Sequence, residues 1–224
     1  MRKLGGCLFL LFTALAVRAD DVPSILARMT AAAPAFHGMS GDIEMVTLTA
    51  VIDDKISENG NLKMQKNKNG SVRAVIDFSV PKDAAREIGF FGKNVRIYYP
   101  NANYYQDYEL GKNGDVLNQF LLLGFGSSGD DLAKSYTIST SGSEKVSGVS
   151  TTKLLLIPKD PKVLEHLSKV EIWIPEGESN PIQQQFYEPT GNYRKVTYSH
   201  IEINPPLKGT LDIQMHSGAQ KRSS

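Results

Sequence analysis

Cysteine is all but missing from this chain: Cys7 stands alone among 224 residues. An intramolecular disulfide and a thiolate-held metal are thereby excluded. Stability has to come from packing, which a chain of this size can supply. Net charge is equally scarce, with 25 basic residues against 24 acidic ones and a formal charge of +1. No basic field is left to hold nucleic acid or an anionic membrane surface. Only one long apolar run exists, near the N-terminus, and it is too short to span a bilayer comfortably. Internal repeats, low-complexity tracts and obvious linkers are absent, which predicts a single domain over residues 20–224.

Catalytic patterns are missing as well. His37, His166, His200 and His216 lie far apart, and none sits in a metal-binding spacing. His200, inside Tyr198-Ser199-His200-Ile201, reads as a partly buried structural histidine. The stretch GFGSSG at 124–129 misses the spacing of a nucleophile elbow. It is not a phosphate loop either, since no Gly-Lys-Ser/Thr follows, and it reads as a mobile hinge. Asp53-Asp54 and Asp130-Asp131 fall in predicted turns, where solvation explains them. The expectation is a protein that is not an enzyme and carries no cofactor or metal.

What is present begins with residues 1–19. Arg2 and Lys3 precede an apolar core from Leu8 to Ala16, and Val17-Arg18-Ala19 closes it. That is the pattern of a secretory signal peptide cut after Ala19. Leu4-Gly5-Gly6-Cys7 also looks like a bacterial lipoprotein box. Acylation at Cys7 would leave the apolar core on the mature chain, so cleavage after Ala19 is the better reading. Loss of Arg2, Lys3 and Arg18 leaves 22 basic residues against 24 acidic ones.

Periodicity then gives the elements. Val22, Ile25, Leu26 and Met29 recur at helical spacing behind Asp21 and Pro23, and Pro34 stops the helix. From Gly41 the period becomes two, and both faces are apolar beyond Val46, as in a strand covered on both sides. Asn59-Gly60, Asn69-Gly70, Gly92-Lys93-Asn94 and Pro100–Asn103 predict turns between antiparallel strands. Asp115–Leu123 switches back to a helix apolar all round, ended by Gly124. Strands resume at Tyr136 and continue to Met215, with a short helix capped by Asp160 and a last strand at Thr210–Met215. His216–Ser224 is polar and reads as a loose tail. The fold class is mainly β, with some α: a large antiparallel sheet that has to curl or close, the concave side of a curled sheet being the surface for its few helices to cover.

The order of several short patterns resembles one family, the LolA-like periplasmic carriers of outer-membrane lipoproteins. Those patterns are Arg73–Phe78 with Pro81, Gly92-Lys93-Asn94, Ile97-Tyr98-Tyr99-Pro100, the helix Leu117–Leu123 with its glycine loop, Leu154–Ile157 with Pro158-Lys159, and the closing run from Trp173 to Asn204. The resemblance implies that the curled sheet forms an unclosed half-barrel covered on its concave side by helices, with an apolar cavity that shields acyl chains. It also implies acylated lipoproteins as cargo, an inner-membrane release complex as donor, an outer-membrane acceptor, and a monomer in the periplasm. Cavity and lid residues are then expected among Met29, Met45, Phe78, Phe90, Tyr98, Leu117, Phe120, Leu121, Phe125, Trp173 and Phe186. The carriers tie the lid with an arginine on an early strand; Arg73 is the candidate, with Lys66 behind it. Two other readings stay open: a protein of the same fold for another apolar ligand, and an envelope sensor or structural protein.

The leader reading predicts that the exported protein begins at Asp20. Intact mass of the secreted product tests it; a mass that retains residues 7–19 plus an acyl group on Cys7 would refute it.

Overall fold

Asp21 caps the first helix, its carboxylate accepting the Ser24 N–H at 2.8 Å. Helix α1 runs Val22–Ala32 and buries Ile25 and Met29, each contributing roughly 1.5–3 kcal/mol. Pro34 ends it in one tight turn, Ala33–Ala35. The computed structural model describes residues 20–110 and 122–223. The leader at 1–19 and the expected helix residues Leu117, Phe120 and Leu121 lie outside the described residues.

Strands then follow in quick succession: β1 (Gly38–Thr49), β2 (Asp54–Lys66), β3 (Val72–Val80), β4 (Arg86–Phe91), β5 (Asn94–Tyr99) and β6 (Tyr104–Glu109). After α2 (Gly129–Ser135) come β7 (Tyr136–Val146) and β8 (Val149–Pro158), then α3 (Pro161–Leu164). The chain finishes with β9 (Lys169–Pro175), β10 (Gln183–Tyr187), β11 (Tyr193–Ile203) and a short β12 (Gln220–Lys221). All belong to one 12-stranded sheet ordered β12-β6-β5-β4-β3-β2-β1-β11-β10-β9-β8-β7. Every pairing is antiparallel except β12 on β6, and β7 does not meet the far end. The result is an unclosed, curled half-barrel, as the family resemblance implied.

Alternation sorts the side chains. On β3, Val72, Ala74 and Phe78 join the concave core, while Val75 faces the opposite side. On the concave side α1, α2 and Leu123 pack against Leu154, Leu156, Val170, Ile172 and Ile174. Phe36 and Phe125 pack against Met39, Ile43, Met64, Val72 and Phe78 in the adjoining half.

Two sequence expectations are corrected. Asn59-Gly60 is not a hairpin turn; β2 runs straight through it, and the turn falls at Ala50–Asp53, with Asp53 at φ 48°. Pairing to β1 and β3 overrides the local Asn-Gly preference, and Gly60 serves a bulge instead. A Cβ at Gly60 would lie 2.0 Å from the Asp77 carbonyl oxygen. The second correction concerns the C-terminus. Thr210–Met215 adds no strand, and 216–223 does not trail free. The segment is a strap across the convex face of β3–β6. Gln65 accepts the Leu211 N–H at 3.2 Å, the Tyr98 hydroxyl accepts the His216 N–H at 3.1 Å, and Gln220-Lys221 pairs with Tyr104-Tyr105. Ile213 is buried there with Val75 and Tyr98. A polar tail can bind because the strand edge of β6 offers backbone groups that need partners.

The strap is therefore part of the folded unit. Ile213→Ala is expected to cost about 2 kcal/mol, at the low end for a buried isoleucine because a strap can settle into the space. Urea unfolding measures it; an unchanged midpoint would detach the strap from the cooperative core.

Candidate functional site

The concave face is an apolar surface interrupted by one polar cluster. Gln184 on β10 and Tyr198 on β11 both point into it, and Gln184 is only 3% exposed. The Tyr198 hydroxyl donates to Gln184 Oε1 at 2.6 Å, and Gln184 Nε2 donates to the Leu123 carbonyl at 2.6 Å. Burial pushes the Tyr198 phenol well above its ordinary range, so it stays protonated and donating at neutral pH. This relay fastens the segment 122–128 to the sheet. Further bonds hold the same segment: Lys66 Nζ donates to the Gly126 carbonyl at 3.4 Å, and Ser127 Oγ to the Leu122 carbonyl at 2.6 Å.

Glycine is needed where the segment touches the sheet. Gly126 has φ +76°, and a Cβ there would come within 2.2 Å of the Phe36 ring. The turn so formed drives Phe125 into the concave core, edge-on to Tyr198 with ring centroids 5.1 Å apart. GFGSSG is thus a packed plug rather than the free connector expected from its composition. Beside it an open cleft of about 300 Å³ is lined by Met29, Ala32, Ala33, Phe36, Gly124 and Gly126, with Ser127, Asn180 and Asn204 among its polar groups. Asn204 also ties the entry of β1, accepting the His37 N–H at 2.6 Å and donating to the Ala35 carbonyl at 2.8 Å.

The expected cavity residues divide between the faces. Met29 lies in the concave cluster under α1, and Phe186 packs against it. Met45, Phe78, Phe90 and Phe125 belong to the adjoining concave cluster. Tyr98 and Trp173 are corrected to the convex face. Tyr98 is buried beneath the strap, edge-on to His216. Trp173 alternates with the concave Ile172 and Ile174, donates its ring N–H to Glu144 and carries the Lys153 ammonium 5.5 Å from its ring centroid. Arg73 is also corrected: its Nε donates to the Leu211 carbonyl at 2.6 Å, and its guanidinium stacks 4.1 Å over Phe91. It ties the strap, not a concave-side lid. Lys66, the second candidate, is the basic residue that reaches segment 122–128. Gln184 escaped sequence reading, although a glutamine at a concave position of β10 is the signal that marks it. His200 is exposed at φ 49°, paired with Asp42 at 2.7 Å, rather than partly buried.

Among the described residues, no group of three or more His, Cys, Asp or Glu is placed to hold a metal ion. No helix there is long and apolar enough to cross a membrane.

No protein-family model matches the chain, and no curated protein does. Solved structures do. An uncharacterized conserved protein from Thermus thermophilus superposes with TM-score 0.52 at 10% identity, over 90% of this chain and 98% of that one. The lipoprotein LppX from Mycobacterium tuberculosis gives 0.50 at 14%, over 83% and 98%. LprF from Mycobacterium bovis gives 0.49 at 13%, over 84% and 94%. At these identities the likeness to the first two shows the fold alone, an unclosed half-barrel with a few helices.

Gln184→Leu removes the relay and leaves the Leu123 carbonyl and Tyr198 hydroxyl unpaired, a cost of about 1–3 kcal/mol. Hydrogen exchange at amides 122–126 is expected to accelerate while the strand amides of β8 and β9 hold. Unchanged exchange in 122–126 would remove Gln184 as the fastener.

Proposed function

We propose that this protein is an exported carrier that shields the acyl chains of lipoproteins against its concave face. In that role it moves them through the periplasm, from an inner-membrane release complex to an outer-membrane acceptor. One observation carries the reading. The apolar concave face is filled by the chain's own Leu123 and Phe125, on a segment that side chains of the sheet hold by hydrogen bonds to its carbonyls. Such a plug can be withdrawn as a unit. An acyl chain could then take its place on a surface that is already apolar.

The energetics give the role its need. Exposing a chain of about sixteen carbons to water costs roughly 12 kcal/mol. A cleft of about 300 Å³ sits at the lower end of small-ligand sites, so a triacylated group requires the plug to move. The fold is shared with LppX, which is itself described as a lipoprotein. The balance of charge and the concave apolar surface support a ligand bound by its hydrocarbon, not by its charge.

Titration of residues 20–224 with a triacylated lipopeptide and its deacylated twin tests this, read by displacement of an apolar dye. Trp173 is unsuitable as the reporter because it lies on the convex face. Displacement by the acylated peptide alone is expected, and Gln184→Leu should speed its uptake. Dye binding without competition by either peptide would assign another apolar ligand. No dye uptake at all would leave a structural or sensory role.

A further inference from the structure

Strand edges are hazards that folded proteins usually blunt. Three stretches of strand edge stand out in this sheet. The β6 edge is paired with β12 at Tyr104-Tyr105. The β7 edge is polar, running Tyr136-Thr137-Ile138-Ser139-Thr140-Ser141, and is bent by a bulge between Thr140 and Ser143 with Gly142 at φ +105°. The third is internal. Strand β2 pairs with β1 along its whole length, from Asp54 to Gln65, but with β3 only from Asn59 to Lys66. Over Asp54–Glu58 no strand among the described residues pairs with the outer side of β2. About five residues of backbone, some 17 Å, present unpaired N–H and C=O groups there.

The edge itself carries charges, Asp54, Lys55 and the buried Glu58, but the apolar side chains around it are exposed. Val51 is 89% exposed, Ile52 69%, Ile56 51% and Val80 49%. They are four of the eight large apolar side chains exposed among the described residues, gathered at one hairpin tip and the adjoining strand end. Proline and bulges are absent from Asp54–Glu58. The charge is one-sided: Glu58 is neutralised by Arg86, whereas Asp53 and Asp54 enter no ion pair among the described residues and face only Lys55 as a nearby cation on the strand.

We propose that the β2 edge over Asp54–Glu58 is a docking site for an extended segment of a partner polypeptide, which adds a strand there. Main-chain hydrogen bonds supply the pairing, as in other strand-addition complexes. An apolar side chain of the segment packs on Ile56, and a basic residue of the segment meets Asp53 and Asp54. The open backbone decides for a polypeptide over a lipid surface, since only a strand satisfies those groups, and the two aspartates oppose an anionic bilayer. The proposal is independent of what the concave face binds.

The probe is a fluorescein-labelled peptide, Lys-Val-Thr-Val-Lys-Val-Thr-Val-Lys, with a twin carrying Glu for each Lys, titrated into residues 20–224. The lysine peptide is expected to bind at least tenfold tighter than the twin and to slow hydrogen exchange at amides 54–58. Ile56→Lys should weaken it at least tenfold, while Ile157→Lys, at an exposed site on β8, leaves it unchanged; thermal unfolding confirms that both variants fold. Protection on β7 instead, or none at 54–58, overturns the proposal. So does binding of the protein to phosphatidylglycerol vesicles, abolished in a Val51→Ser/Ile52→Ser variant, together with no binding of the lysine peptide, which would make the tip a membrane contact.

Discussion

A strand has two faces, and in the middle of this sheet neither can be left to water. On β3 the alternation puts Val72, Ala74 and Phe78 on one side and Val75 on the other. A large antiparallel sheet must curl, and curling makes the two faces unequal. The concave one is deep enough to receive a helix and a plug; the convex one is shallow and takes a single extended strap. The rest of the architecture answers that demand. Helix α1, α2 and segment 122–128 cover the inside, and residues 207–223 cover the outside of β3–β6. Arg73 shows how local the division is. Moved by one residue it would face the concave core, but its parity sends it to the strap, where it meets Leu211, Asp212 and Phe91.

The two covers are fastened differently. The strap combines main-chain pairing at β12 with apolar burial at Ile213, so it shares the stability of the sheet. The concave plug rests on few polar anchors, of which Gln184 is the buried one. A buried amide with both ends occupied contributes about 1 kcal/mol net, but an amide left half-paired costs more than that. A fastener of this kind is therefore all-or-none: it holds one closed geometry and offers little resistance part-way out. Placed in an apolar surface, it also fixes the register of a segment whose Leu123 and Phe125 would otherwise slide among equivalent apolar contacts.

Much of this was legible before the fold was known, because period-two patterns survive in strands with one buried face. The large curled antiparallel sheet with helices on its concave side followed from them. The failures have one physical source each. Tyr98 and Trp173 are large and apolar, which marked them as cavity residues, yet their parity against Ile97 and Ile172 placed them on the other side; size outweighed register in the reading. Asn59-Gly60 has strong local turn chemistry, and long-range pairing on both edges overruled it. The strap carries a period-two trace, Leu211, Ile213 and Met215 packing on the convex face; alternation alone does not separate a strand paired in the sheet from an extended segment laid over it. Gln184 was hidden in the run Gln183-Gln184-Gln185, where residue type does not tell which glutamine faces inward.

The plug also bears on how a tight hydrocarbon site can release its ligand. An empty apolar trough of this length would be unstable, because its lining would lose both water and packing partners. Filling it with Phe125 and Leu123, at about 1.5–3 kcal/mol each, gives the empty protein part of the burial that a bound chain would provide in the proposed carrier role. Ligand binding then exchanges one set of apolar contacts for another. The net affinity becomes the difference between acyl burial, roughly 0.8 kcal/mol per methylene, and the cost of lifting two large side chains with their polar anchors. Small changes in those anchors shift that difference by an amount comparable to the affinity itself. A carrier needs that margin, since cargo held by the full hydrocarbon transfer energy would never pass to an acceptor. The closed plug is on this argument the competitor that keeps the concave face reversible.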